Sequence, residues 1–303
     1  AKSASSVTAG ITAADTKSLT ITGADAVTTG VITAVKIETV SATAAKALSV
    51  GAINSTTANK LTTVNLTSTT EGVTAAAIGS TTNTETLNVT INAAKDITQT
   101  GAINSTKVGN ISATSTAGKV TLGTIGANAT TMGDVTVNAK GDATAGAIGT
   151  TANLATLGTV SMTSTDGYVK LTSVDAKDTT GITVNLSGKT FISNNGTAVA
   201  DAQAIAVENA GGNITASVAG AAAAAANYKV TTKGIVNLTA TNTGGLNSTV
   251  TNAGTIADAL TSTITLGNAV TTKTNDVTIN GTVATLNVTG GTGVDNIILT
   301  GAQ

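Results

Sequence analysis

Apolar and polar residues alternate along most of this chain, and the alternation recurs in similar units. Segments such as VTAAAI and LNVTINA place Val, Ile, Leu or Ala at every second position, which is typical of strands with one buried face. Polar stretches such as GSTTNTET separate these segments. Each unit is therefore predicted to contain an alternating strand, a polar loop, a second strand and a tight turn that contains Gly, Asp or Lys.

Three series of apolar positions share one period, and the spacing between neighbouring members varies by only a few positions. The first series is Ile53, Ile78, Ile103, Ile125 and Ile148; the second is Val64, Val89, Ile111, Val135, Val160 and Val184; the third is Val73, Ile97, Val120, Ala143 and Val169. Composition alone does not readily produce three series with one period. The chain is therefore predicted to be an internal repeat of about 24 residues.

The repeat predicts an all-β fold, a right-handed parallel β-helix (solenoid) with coils of about 24 residues. Equivalent positions of successive coils would stack about 4.8 Å apart, with the isoleucine series turned inward. This period fits a three-sided right-handed solenoid better than a left-handed hexapeptide helix. A β-sandwich, the main alternative, gives a strand every roughly 8 to 12 residues but does not repeat the same residue classes at the longer period.

The repeat is not equally regular along the chain. Residues 1–190 are predicted to form the parallel β-helix, with two shorter coils before residue 50. Residues 191–229 are predicted to form an irregular crossover, because AVADAQAIAVENA at 198–210, followed by Gly211 and Gly212, is typical of a short helix with a glycine stop. Residues 230–303 are predicted to form a second, smaller β region that leads into a glycine and aspartate repeat.

Composition sets what the core can contain. The chain has 67 Thr but no Cys, His, Pro, Trp or Arg, and its aromatic residues are Tyr168, Tyr228 and Phe191. The core must therefore be built from small and β-branched side chains, which suit a pleated surface. Without Cys there is no disulfide framework, so stability must come from packing or bound ions.

Charge and hydropathy narrow the classes of partner. The net charge is −1, so the chain has no basic field for nucleic acid or anionic lipid. No stretch approaches the roughly 20 apolar residues that would span a bilayer. We therefore expect no nucleic-acid partner and no membrane insertion.

The residue types also argue against catalysis. Without His or Cys, the chain lacks an imidazole base and a thiolate nucleophile. A carboxylate pair could still act, as in glycoside hydrolases, but sugar-cleaving β-helices usually also need aromatic platforms and Arg. The sequence predicts that the protein is not an enzyme.

One motif indicates a specific ligand. GGTGVDNII, at Gly290 to Ile298, meets every fixed position of the nonapeptide G-G-x-G-x-D-x-U-x. Its glycines permit a tight turn, and Ca²⁺ prefers hard oxygen ligands. Asp295 would supply a carboxylate, and Gly291 and Gly293 would supply backbone carbonyls. The alternative is a purely structural turn.

With this motif and its composition, the chain resembles the calcium-binding repeat-in-toxin proteins exported by type I secretion, and among them the cysteine-free S-layer proteins of Gram-negative bacteria. The motif covers only the nonapeptide, whereas the unusual composition extends over the whole chain. The resemblance implies a protein secreted to the extracellular cell surface, where it binds calcium and assembles with itself, with cell-surface polysaccharide as a further partner. Complete ion sites in this family are shared between stacked repeats, and this chain has one nonapeptide.

The leading functional hypothesis is a structural subunit of a self-assembling extracellular coat, an S-layer lattice. The alternative is a repetitive adhesin or a biofilm-matrix fibre protein, whose members share the calcium motif but are usually built from larger immunoglobulin-like modules.

Overall fold

The structure, a computed structural model, consists of parallel β-strands that stack coil on coil. It describes residues 5–7, 10–12, 15–54, 60–150, 153–177, 181–188, 190–191, 205–209, 214–220, 226–232, 236–242, 246–252, 261–267, 274–280, 285–291 and 293–300. The chain divides into two compact units, Ala1–Thr150 and Thr151–Gln303. The division falls after Thr150, whereas the sequence suggested a change of structure after residue 190.

The first unit contains eighteen short strands in its described residues. They are β1 (Ser5–Val7), β2 (Ile11–Thr12), β3 (Ser18–Gly23), β4 (Val27–Thr29), β5 (Ile32–Thr33), β6 (Thr39–Ala44), β7 (Leu48–Val50), β8 (Thr63–Ser68), β9 (Val73–Ala75), β10 (Ile78–Gly79), β11 (Thr86–Ala93), β12 (Ile97–Gln99), β13 (Ile103–Asn104), β14 (Lys107–Ser115), β15 (Val120–Leu122), β16 (Thr131–Met132), β17 (Val135–Ala139) and β18 (Ala143–Gly149).

These strands form two long parallel ladders in the first unit. The A sheet has the order β1-β4-β7-β9-β12-β15-β18, and the B sheet has the order β3-β6-β8-β11-β14-β17. Successive coils add equivalent segments to the two sheets, so the neighbours in a sheet come from neighbouring coils. The predicted all-β parallel solenoid with coils of about 24 residues is confirmed, because the shared period aligns the same residue classes across each ladder.

A third, narrower ladder is centred on the isoleucine series. Ile78 pairs with Ile103, and parallel bridges join Ile53 to Ile78, Ile103 to Ile125 and Ile125 to Ile148. All five side chains are fully buried. The predicted inward stack of this series is confirmed. It extends toward the N-terminus through Ile32 to Ile11, in two coils that are shorter than those that follow, as the sequence predicted.

The chain turns sharply after several of these isoleucines, and the residue at the turn has a left-handed backbone. Positive φ values occur at Asn54 (43°), Gly79 (72°), Gly126 (65°) and Gly149 (71°). Gly and Asn tolerate this conformation best, because it brings a Cβ close to the following carbonyl oxygen. The Asn54 side chain also joins its turn to the preceding coil, because it accepts a hydrogen bond from the Ala34 N–H (2.7 Å) and donates one to the Ala34 carbonyl (2.8 Å).

The second unit repeats the two-ladder arrangement with longer strands. They are β19 (Thr156–Leu157), β20 (Thr159–Ser164), β21 (Tyr168–Ala176), β22 (Ile182–Gly188), β23 (Thr190–Phe191), β24 (Ile205–Asn209), β25 (Ile214–Gly220), β26 (Ala226–Thr232), β27 (Val236–Asn242), β28 (Leu246–Asn252), β29 (Thr261–Gly267), β30 (Thr274–Asn280), β31 (Thr285–Thr289) and β32 (Val294–Thr300). Its A sheet has the order β21-β24-β26-β28-β30-β32, and its B sheet has the order β20-β22-β25-β27-β29-β31.

The helix predicted over 198–210 is wrong for the residues that the structure describes there. Ile205–Asn209 is strand β24, which pairs in parallel with β21 and β26; residues 198–204 and 210 lie outside the described residues. Ile205 and Val207 occupy every second position of this strand, and Val207 pairs with Val174 of β21 and with Val230 of β26. Pairing with both neighbours overrides the helical preference of an alanine-rich segment.

The predicted crossover over 191–229 likewise contains strands that belong to the two ladders. In the B sheet, β25 pairs in parallel with β27, and in the A sheet, β26 pairs in parallel with β28. The strands after residue 230 therefore extend the ladders of the second unit and do not start a separate sheet. Among the described residues, there is no helix that could cross a membrane.

Candidate functional site

The glycine and aspartate turn precedes β32. Asp295 lies in β32 beside Asn275 of β30, and its Oδ1 accepts a hydrogen bond of 3.2 Å from the Gly291 N–H. A Cβ added at Gly290 would overlap the Oδ2 of Asp295. The Asp295 carboxylate therefore bonds back to the glycines of its own motif and lies against Gly290.

The one carboxylate in this motif is that of Asp295. Ca²⁺ takes six to eight oxygen ligands. The described residues contain no group of three or more His, Cys, Asp or Glu side chains that could hold a metal ion, and one oxygen of Asp295 already accepts the Gly291 N–H. The assignment of Gly291, Gly293 and Asp295 as ligands stays a prediction.

Six charged residues of the first unit lie in the turns that lead from the B sheet into the A sheet. Ion pairs join residues of successive coils: Lys46 Nζ lies 2.8 Å from Asp25 Oδ1, Lys95 Nζ lies 2.7 Å from Glu71 Oε2, and Lys119 Nζ lies 2.7 Å from Asp142 Oδ2. We call these residues the charged corner. Stacking of the coils places opposite charges next to each other. The turns of neighbouring coils are therefore joined by ion pairs and do not form a column of like charge.

The pair Asp25 and Lys46 makes stability depend on pH at both extremes. Its hydrogen bond lowers the pKa of Asp25 below the ordinary 3.8 and raises the pKa of Lys46 above the ordinary 10.5. The Asp25 contribution is fully present above pH 3.8 and is lost as the pH falls through the lowered pKa. The Lys46 contribution is fully present below pH 10.5 and is lost as the pH rises through the raised pKa.

We therefore expect Asp25→Asn to be less stable than the native chain between about pH 5 and pH 9, and the gap to close at both extremes. The effect is small because the pair is exposed. Urea denaturation across pH, followed by circular dichroism, measures it. The gap should also shrink in about 1 M salt, which screens exposed charges; a gap that does not vary with pH would contradict the ion-pair explanation.

Buried polar side chains stabilise the same corner from within. Ser68 Oγ donates to the Lys46 carbonyl and accepts the Glu71 N–H (3.2 Å). Ser115 Oγ likewise donates to the Lys95 carbonyl (2.6 Å) and accepts the Gly118 N–H (2.9 Å). Sequence reasoning missed these serines, although each ends an alternating strand and precedes its turn by the same spacing.

The B sheet of the first unit presents a different kind of surface. Its six strands contain one charged residue, Lys107, at the start of β14. Two outward columns run across these strands, and every member is Thr, Ser or Asn. One column is Thr20, Ser41, Asn65, Thr90, Ser112 and Thr136, and the other is Thr22, Thr43, Thr67, Asn92, Thr114 and Asn138. We call the residues of these two columns the neutral face.

The side chains of the neutral face are accessible, since each is at least partly exposed. Next to them, an asparagine pair bridges coils at the β-bulge between β11 and β14. Asn88 Oδ1 accepts the Asn110 N–H (2.9 Å), and Asn110 Oδ1 accepts the Asp134 N–H (3.0 Å). Sequence reasoning missed this pair too, although the two asparagines precede Val89 and Ile111 of the second apolar series.

Comparison of this chain with protein-family models, curated proteins and solved structures gives no match.

Proposed function

We propose that this protein is a structural subunit of a secreted, self-assembling coat on the cell surface, an S-layer lattice. The observation that carries the proposal is the uniform stacking of coils. In the first unit, successive coils repeat the same isoleucine position, the same A and B strands and the same corner pairing. A scaffold of repeated units provides long, regular surfaces on which many identical contacts can form.

The composition of those surfaces supports a structural role. Outward positions of the B sheet in the first unit carry short hydroxyl and amide side chains, and the charges of the corner are paired with each other across coils. Such side chains lose little rotamer entropy when they are covered, and they offer donors and acceptors to another surface. They suit extended contacts between subunits.

The test is electron microscopy of the purified chain at increasing concentration, in Ca²⁺ and in excess chelator, with Asp295→Ala as the variant of the glycine and aspartate turn. We expect planar arrays. Single extended fibres would favour the adhesin or matrix-fibre alternative, and isolated particles at every concentration with Ca²⁺ present would contradict the coat proposal.

The calcium arms of this experiment test the predicted ligand separately. If Ca²⁺ binds the folded turn, it stabilises that form by mass action, so arrays should weaken in chelator and in Asp295→Ala. Equal arrays in all conditions would remove the calcium role and leave the coat proposal standing.

A further inference from the structure

We infer that a groove on the A-sheet side of the first unit binds a neutral saccharide. The groove lies beside the charged corner and has a volume of about 380 Å³. Sites for small molecules usually measure roughly 300–1,000 Å³, so the groove can hold a small sugar. The inference goes beyond the coat proposal, because such a site would bind sugar whether or not copies of the chain assemble.

Small residues in two successive coils create the groove. The residue that precedes each A-sheet strand occupies the same place in its coil, because the strands pair in register. It is Ala47 before β7 and Gly72 before β9, whereas Asp96 precedes β12. All three residues line the groove. Its lining therefore comes from three successive coils, and the small residues leave the space that a ligand would occupy.

A row of hydroxyl groups follows the same three coils. Ser49, Thr74 and Thr98 line the groove and are consecutive members of one outward column of the A sheet. Paired positions of neighbouring strands lie about 4.8 Å apart. Each hydroxyl can donate one hydrogen bond and accept others, so the row offers both functions to a ligand at regular intervals.

Charged groups of both signs complete the lining. Glu71 and Lys95 line the groove as the ion pair of the charged corner, with Lys95 Nζ 2.7 Å from Glu71 Oε2. Asp96 Oδ1 accepts the Lys119 N–H (2.8 Å), and Asp96 belongs to none of the ion pairs among the described residues. An ionised carboxylate has about four lone-pair sites, so Asp96 keeps acceptor capacity for a ligand.

A neutral ligand rich in hydroxyl groups suits this mixture best. An anion would face the carboxylates of Glu71 and Asp96, and a cation would face the ammonium group of Lys95. Sugar hydroxyls donate to carboxylates and accept from ammonium and threonine groups, so one sugar can use every polar group of the groove. The described lining contains no aromatic ring on which a sugar could stack. We therefore expect a weak affinity, with a Kd of about 1 mM.

Matched threonine variants test the inference. Thr74→Val removes a hydroxyl from the groove and keeps the shape of the side chain. Thr121→Val is the control, because it makes the same change in the same outward column, at a residue that does not line the groove. Asp96→Asn replaces the carboxylate with an amide. Circular dichroism confirms that each variant folds, and nuclear magnetic resonance titration of the isotope-labelled chain with maltose, cellobiose and lactose measures binding.

We expect at least one of these disaccharides to shift the backbone amide signals of the groove residues. Thr74→Val and Asp96→Asn should each weaken binding about threefold to tenfold, as the loss of one hydrogen bond does. Thr121→Val should bind like the native chain. Binding should also persist in about 1 M salt, because a neutral ligand is not held by its charge.

The inference is overturned if none of the three disaccharides shifts the groove signals, or if Thr74→Val and Thr121→Val bind equally well. Either result leaves the coat proposal intact, because array formation tests that proposal separately. Sugar binding by a chain that forms no arrays would have the opposite meaning: the saccharide site would stand and the coat proposal would be removed.

Discussion

Replacing Ile103 with Asp is expected to destabilise the first unit by roughly 3–5 kcal/mol, the cost of leaving a buried charge uncompensated. Ile103 has no exposed surface and lies between Ile78 and Ile125 in the isoleucine ladder. No cationic residue belongs to that ladder in the described part of the chain, so the carboxylate would have apolar neighbours above and below. Urea denaturation followed by circular dichroism measures the loss.

Two variants serve as controls for this result. Ile103→Val removes one methylene group at the same position and should cost about 0.5–1.5 kcal/mol. Thr121→Asp places the same carboxylate on an exposed outward position of β15 and should change stability by less than about 0.5 kcal/mol. Equal stability of Ile103→Asp and Thr121→Asp would contradict the inward placement of the isoleucine series.

A smaller but still large loss is expected for Gly79→Ala, roughly 2–3 kcal/mol. Gly79 has a φ of 72°, and a Cβ there would overlap the backbone carbonyl of Asn104 in the next coil. The added methyl group would therefore both strain the left-handed residue and push two coils apart. Thermal or urea denaturation of the purified variant measures this loss.

Gly141→Ala is the matched control for Gly79→Ala. Gly141 is not among the glycines with positive φ, and the atom nearest its added Cβ would be Cγ of Lys119, at 3.2 Å, in a flexible side chain. Its stability should stay within about 1 kcal/mol of the native chain, because the reduced conformational freedom of the unfolded chain offsets mild crowding. If both glycine variants lose stability equally, coil stacking at Gly79 is not the cause.

The prediction from sequence was correct where the two-residue alternation within strands and the longer period of the repeat placed the same residues inward. Alternation by two decides which side of a strand is buried, and the longer period of the repeat decides which residues become neighbours in adjacent coils. Together they correctly predicted that Ile78 lies beside Ile103, Val89 beside Val64 and Ile97 beside Val73. Each of these pairs follows from regular spacing along the chain, which is visible in the sequence.

The same reasoning was wrong where the helical propensity of a segment and its pairing with neighbouring strands favour different structures. Residues 205–209 lie in an alanine-rich stretch that favours a helix in isolation. In the structure they form a strand that pairs with β21 on one side and with β26 on the other. Backbone groups between two strands gain hydrogen bonds on both sides, and helical propensity is a weaker term than that gain. Spacing had become irregular there, so the register could not be followed in the sequence.

The sequence of the glycine and aspartate motif predicts its backbone turn but does not specify a complete set of ion ligands. The residue types at 290–298 predicted a tight turn, and the hydrogen bond from the Gly291 N–H to the Asp295 carboxylate agrees with it. Which oxygens would surround an ion depends on the residues of neighbouring coils. A nonapeptide alone cannot specify them.

The sequence by itself determined the strand class, the coil length and the inward residues of the first unit, because these follow from periodic spacing along the chain. Only the tertiary structure decided which charges pair at the corner and which serines close the turns. Those features depend on residues about one coil apart in the chain, as in Asp25 with Lys46 and Ser115 with the Lys95 carbonyl. They become neighbours only when coils stack, since stacking brings each turn beside the equivalent turn of the previous coil.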